Sequence, residues 1–206
     1  MSKAQGFARD MRVDHVGSLL RPEELKAAFL RRARGQIDDA ALVAAQDEAI
    51  RVIVAEQEAH GLPIVTDGEY RRLNWQVSFS RVSGWDLWEG AWRNFLQFPD
   101  NVGAGEKPLH KGADAVESFK VPATGKIALE ESFPKREYDF LRQIAIKPVK
   151  ITLMGPDRVR QMCDIGKSAP HYADSASFLV DVVAIQRRMV EELVEAGIKD
   201  IIMVTR

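Results

Sequence analysis

A chain of 206 residues with a formal net charge of -1 has room for one sizeable domain, and its charge balance points to neither nucleic acid nor an acidic membrane surface. One cysteine, Cys163, excludes an internal disulfide and any two-cysteine zinc site built by one chain, and makes a reducing cytoplasm the expected compartment. No apolar run is long enough to span a bilayer, and the opening residues Met1–Asp10 lack the apolar core of a signal peptide.

The residues from Met11 to Leu20 open the chain's order with Val13 and Val16, which favour extended backbone, and Gly17-Ser18, which ends it. A turn of that kind offers backbone N–H groups and a hydroxyl to a carboxylate or phosphate, although an ordinary Gly-Ser turn looks the same. His15 sits at the same predicted strand end, as a ligand contact or a structural residue. Arg21-Pro22-Glu23-Glu24 then starts a helix, with proline in the first turn and acid at the positive end, and Gly35 stops it. Asp38 or Asp39 caps a longer helix to about His60, with Leu42, Ala45, Ala49, Ile50 and Ile53 at helical spacing.

Leu62 to Thr66 predicts a buried strand that runs into Asp67-Gly68-Glu69-Tyr70-Arg71-Arg72. Two carboxylates and two guanidiniums therefore fall just past a strand's carboxyl end, where α/β folds bind ligands. A solvated turn is the competing reading. Residues 75–120 predict an excursion. They hold all four tryptophans, Trp75, Trp85, Trp88 and Trp92, together with Phe79, Phe95 and Phe98, suited to a pocket wall, a subunit contact or a satellite core. Short strands around Thr124-Gly125, a helix from about Lys135 to Ile146, and a strand Val149–Met154 ended by Gly155-Pro156 follow. After a polar excursion over 157–173, Asp174 or Ser175 caps a long helix closed by Gly197, and Ile201–Val204 begins a last strand. Cys163 and His171, eight residues apart, do not by themselves make a metal site.

Strands alternating with helices predict an α/β fold with a parallel sheet, and about five strands predict an incomplete (β/α) barrel in a single domain over 1–206. His15-Val16-Gly17-Ser18-Leu19-Leu20-Arg21-Pro22 and Thr66-Asp67-Gly68-Glu69-Tyr70-Arg71-Arg72 with Trp75 resemble motifs of the cobalamin-independent methionine synthase family, especially its members that consist of the catalytic barrel alone. Thr124-Gly125-Lys126 and Val149–Pro156 are weaker matches in the same order. The resemblance covers nearly the whole chain, which corresponds to the first half of a TIM-type (β/α)8 barrel.

That resemblance implies methyl transfer to a thiol such as homocysteine, with zinc holding the sulfur as thiolate and methyl-folate as a possible co-substrate. It implies that Gly17, Ser18 and Glu69 hold the amino-acid part of homocysteine, with His15 at the same strand end and Asp67 and the arginines Arg71 and Arg72 orienting Glu69 or contacting the second substrate. Backbone N–H groups suit a carboxylate and an anionic glutamate suits an ammonium group. The family's zinc ligands, a His-x-Cys pair, a glutamate and a further cysteine, lie on later strands and have no counterpart here. Val204-Thr205-Arg206 stands where the family carries Asp-Glu-Pro. No metal ligand is therefore assigned, and the single chain is expected to be inactive alone. The competing expectations are a truncated, non-catalytic remnant that assembles through its open sheet edge as a homo-oligomer, and acid–base chemistry by His15, Asp67 and Glu69 without metal.

Overall fold

The computed structural model describes residues 15–16, 18–73, 75–87 and 120–204. Gly17, Trp88, Trp92, Phe95 and Phe98 lie outside the described residues, as does most of the predicted excursion.

Helix α1 (Glu23–Ala33) starts behind Pro22, carries Glu23 and Glu24 in its first turn, and buries Leu25, Ala28 and Phe29. Helix α2 (Asp39–Ala59) is capped by Asp38, whose carboxylate accepts the Ala41 N–H at 2.8 Å. The predicted strand Leu62–Thr66 reduces to a single parallel bridge, Val65 to Val149, with Val65 N donating to Pro148 O and Lys150 N to Val65 O. Pro63 supplies no N–H to a ladder, which limits pairing on its side. The described part of the predicted first strand, 15–16 and 18–20, is not in a strand. It is held by isolated contacts instead: Leu19 N donates to Gly68 O at 3.1 Å and Lys150 Nζ to His15 O at 2.6 Å.

A 3-10 turn (Trp75–Phe79) leads to β1 (Val82–Ser83), which pairs antiparallel with β2 (Ala128–Leu129). Helix α3 (Phe133–Ile144) begins two residues before its predicted start. Ser132 caps it by accepting from Lys135 N, and Pro134 fits the first turn, where no N–H is needed. β3 (Lys150–Met154) is buried along its whole length and pairs in parallel with β4 (Asp200–Val204), in register from Lys150–Asp200 to Met154–Val204. The predicted polar excursion after β3 contains a short helix α4 (Pro156–Gln161) and a 3-10 turn (Ile165–Lys167), and Val121 bridges Cys163 in parallel. Helix α5 (Ser175–Glu195) is capped by Asp174 through Ser177 N at 2.7 Å.

Two apolar clusters result. Ile151 and Leu153 of β3 pack into the first, with Leu25, Phe29, Ile50, Val54, Leu141 and Leu193 of the helices. The second gathers Met154, Val159, Met162, Phe178, Val182 and Met189, and takes in Phe79 and Trp85. Trp85 meets Phe178 edge-on at 5.1 Å and its indole N–H donates to Val121 O at 2.8 Å, so these two aromatics of the predicted excursion are core. Alternation along β3 sends Ile151 and Leu153 to the helix side, leaving Lys150, Thr152 and Met154 on the opposite face.

Candidate active site

The turn after Val65 is built by its own side chains. Gly68 N donates to Thr66 Oγ1 at 3.2 Å, and Asp67 Oδ1 accepts the Glu69 N–H at 2.9 Å, an Asx turn that reverses the chain. Gly68 and Glu69 both have positive φ, 65° and 59°. Glycine serves the first without strain. A glutamate there is unusual, and such backbone is kept where the surroundings over-determine it.

The surroundings are a buried polar network. Thr152 Oγ1 donates to Glu69 Oε1 at 2.6 Å, and Arg72 Nη1 reaches the same oxygen at 3.2 Å. Arg72 also donates through Nε and Nη2 to the two oxygens of Glu137, at 2.9 and 2.6 Å. Its remaining donors go to Thr152 Oγ1 at 3.1 Å and Thr152 O at 2.8 Å, so all five guanidinium N–H groups are used. Arg72 is 2% exposed and Glu137 is 0% exposed. Burial pushes the Glu137 carboxyl up to about 7, against the pull of Arg72. Burial lowers Arg72, yet the facing carboxylates hold it above its ordinary range. The bidentate geometry favours the ionised pair.

Glu69 Oε2 has no hydrogen bond among the described residues, and it is not sealed from solvent as Asp67 Oδ2 is. Glu69 thus holds one oxygen inward and leaves the other open. Asp67 is buried with Oδ2 unpartnered, and burial pushes its carboxyl up.

Leu19, Leu20 and Arg21 are pinned onto this turn. Tyr70 Oη donates to Leu20 O at 2.6 Å, and Arg21 Nη2 donates to Arg72 O at 2.6 Å and Glu69 O at 3.3 Å. Among the residues predicted for the site, Glu69 and Asp67 share the turn, Ser18 is exposed beside the pinned Leu19, and His15 contributes its carbonyl to Lys150. Gly17 lies outside the described residues. Arg71 turns away: its guanidinium pairs with Asp47 of α2 and lies 4.5 Å from the ring centre of Phe140. Arg72 takes the inward place expected of its neighbour.

Sequence reasoning did not single out Glu137 or Thr152. The signals were faint. Glu137 is a charge on the same buried stripe of α3 as Phe133, Tyr138 and Leu141, and Thr152 is a polar residue at period two from Lys150 in a buried strand. A surface groove of about 340 Å³ between α3 and α5 shares no residue with the Glu69 turn.

Among the described residues no three His, Cys, Asp or Glu side chains converge to hold an ion. Cys163 is buried with its sulfur 3.5 Å from Ser168 Oγ, and burial pushes its thiol up, away from the thiolate a metal requires. The described residues do not fit zinc, and no step is derived through it.

No family model matches the chain. It is 30% identical over 189 residues to the uncharacterized protein YxjH of Bacillus subtilis, covering 90% of this chain and 45% of YxjH. It is 27% identical over 149 residues to the methionine synthase of Sulfurisphaera tokodaii, covering 66% of this chain and 44% of that enzyme. Among solved structures, it superposes with TM-score 0.67 at 22% identity on a Listeria monocytogenes protein assigned to the vitamin-B12-independent methionine synthases, over 93% of this chain and 50% of the other. A B12-independent methionine synthase from Shewanella sp. W3-18-1, solved with selenomethionine, gives TM-score 0.63 at 19% identity over 91% and 49%.

Fold and sequence define a mixed α/β domain that is similar to methionine-synthase-like proteins. In particular, the chain resembles the cobalamin-independent methionine synthases, and it spans about half the length of the curated relatives it matches. Among the described residues no helix is long and apolar enough to cross a membrane.

Proposed function

We propose that this chain is the amino-acid-binding half of a (β/α)8 barrel that transfers a methyl group to a thiol such as homocysteine in the cytoplasm. The observation that carries the reading is Glu69, anchored through Oε1 by Thr152 and Arg72 with Oε2 left for a ligand cation. Ser18 and Gly17, on the segment pinned to the same turn, would take the ligand carboxylate, while His15 and Asp67 would shape the surroundings. The Shewanella relative holds a methionine analogue, which supports an amino acid as the ligand class. Zinc and the methyl donor, methyl-folate among the candidates, would be served by residues outside this half, so the chain alone binds thiol without turnover.

Calorimetric titration of the purified chain with homocysteine tests this. Binding is expected, and Glu69→Gln should weaken it about tenfold or more, the loss of one charge-assisted contact. Undetectable binding, or equal binding by the variant, sinks the assignment.

A second reading, a self-assembling remnant, is favoured by β4, which pairs only with β3 among the described residues and leaves Met203 40% exposed. Light scattering at micromolar concentration should then show a homodimer or larger species. A clean monomer argues against it.

A further inference from the structure

Among the described residues, the guanidiniums near Glu69 make their shorter contacts elsewhere. Arg71 is taken by Asp47. Arg21 donates to the backbone carbonyls of Glu69 and Arg72, which leaves its charge in place, shared between the carboxyls of Glu69 and Asp67. Arg72 gives its two shortest contacts to carboxylate to Glu137, and only the 3.2 Å contact to Glu69. Asp67, on the other side of the turn, adds a further carboxyl rather than a cation.

We propose that Glu137 sets the charge of the site: by pairing with Arg72 it keeps that guanidinium from cancelling Glu69, and so favours a ligand that carries an ammonium group. The inference rests on the reading of Glu69 as the amino-acid anchor and extends it to a residue of another helix that does not touch the ligand. Arg72 alone would hold Glu69 and cancel it at the same time. Arg72 paired with Glu137 holds Glu69 by a hydrogen bond while the cluster of three stays net negative. Thr152 adds a neutral donor to the same oxygen, which fixes the carboxylate without changing the charge. Glu137 is therefore a positioning residue, acting through Arg72. Water cannot replace it, because the pair is sealed.

The test compares homocysteine with its desamino analogue, mercaptobutanoate, by calorimetry on the full chain. The affinity ratio of the two ligands reports the ammonium contact and is insensitive to general loosening. The unmodified chain should prefer homocysteine by about tenfold or more. Glu137→Gln, which keeps the shape and removes the charge, should bring the ratio close to one. The double variant Arg72→Met/Glu137→Met removes both charges, leaves Glu69 negative, and should keep the preference even if both affinities fall. The proposal is overturned if Glu137→Gln keeps the ratio or weakens both ligands alike, or if the double variant loses the preference. If circular dichroism shows that Glu137→Gln does not fold, Glu137→Met is read in its place: a ratio close to one supports the proposal and an unchanged preference overturns it. An unmodified chain with no amino preference overturns the reading of Glu69 itself, and that outcome is seen without any variant.

Discussion

Thr152 Oγ1 donates to Glu69 Oε1 at 2.6 Å across 83 positions of sequence, joining the middle of β3 to the turn after the Val65 bridge. A hydroxyl bonded to a buried carboxylate is among the stronger side-chain contacts, and its loss strands a charge. Thr152→Val keeps the volume and should cost roughly 1.5–3 kcal/mol in chemical denaturation, whereas Thr152→Ser should stay within about 1 kcal/mol. A larger cost for Thr152→Ser than for Thr152→Val would mean that the methyl group, and not the hydroxyl, is what the site uses.

Gly68 holds φ at 65°, and an added Cβ would stand 2.9 Å from Tyr70 Cε1. Gly68→Ala combines left-handed backbone with a clash against a ring whose hydroxyl anchors Leu20. It should lower stability by about 1–2 kcal/mol or more. It should also loosen the 18–21 segment, read as faster amide exchange at Leu19.

Burial raises the Asp67 carboxyl above its ordinary value of 3.8. An acid with a raised folded-state pKa takes up protons more readily folded than unfolded. Its contribution is therefore full at low pH and is lost as pH rises through the folded value. Asp67→Asn keeps an oxygen for the Glu69 N–H and removes the titration. The thermal midpoint of the variant should fall less steeply than that of the unmodified chain as pH rises above the ordinary carboxylate range. A steeper fall contradicts the burial argument. Asp67 also helps to raise the Glu137 carboxyl, so its removal lowers Glu137 as well, and the two changes flatten the fall in the same direction.

Phe178 is fully buried and meets two rings edge-on, Trp85 at 5.1 Å and Tyr172 at 5.0 Å. Phe178→Ala should cost about 3–5 kcal/mol, from lost burial and the cavity left behind. Since Trp85 loses a packing partner, its fluorescence should shift to the red in the folded variant. An unchanged spectrum would place Trp85 outside the second apolar cluster.

The helices were legible because their signals are local. Asp38 and Asp174 cap where a short acid precedes an apolar stripe, and Gly35 and Gly197 take positive φ where the chain must leave a helix. The start of α3 was read two residues late because Phe133 and Pro134 resemble the end of a loop until Ser132 is seen to cap them. The apolar run Leu62–Thr66 predicts a full strand, but Pro63 offers no N–H and only Val65 pairs, with Val149. Glu69 and Asp67 could be chosen from their place after an apolar run. The choice between Arg71 and Arg72 could not, because what separates them is whether Asp47 or Glu137 stands opposite, and those partners come from distant helices.

Adjacent arginines with opposite tasks should diverge differently in related chains. At position 71 a single contact to Asp47 and a ring face at Phe140 ask for a cation on a long stem, which lysine also supplies. At position 72 five donors are met in one plane by Glu137, Thr152 and Glu69, and no ammonium group can reproduce that fork. Among homologues that keep the amino-acid pocket, Arg-to-Lys exchange should be common at the first of the two positions and rare at the second. Where the second is exchanged, position 137 should have lost its acid as well.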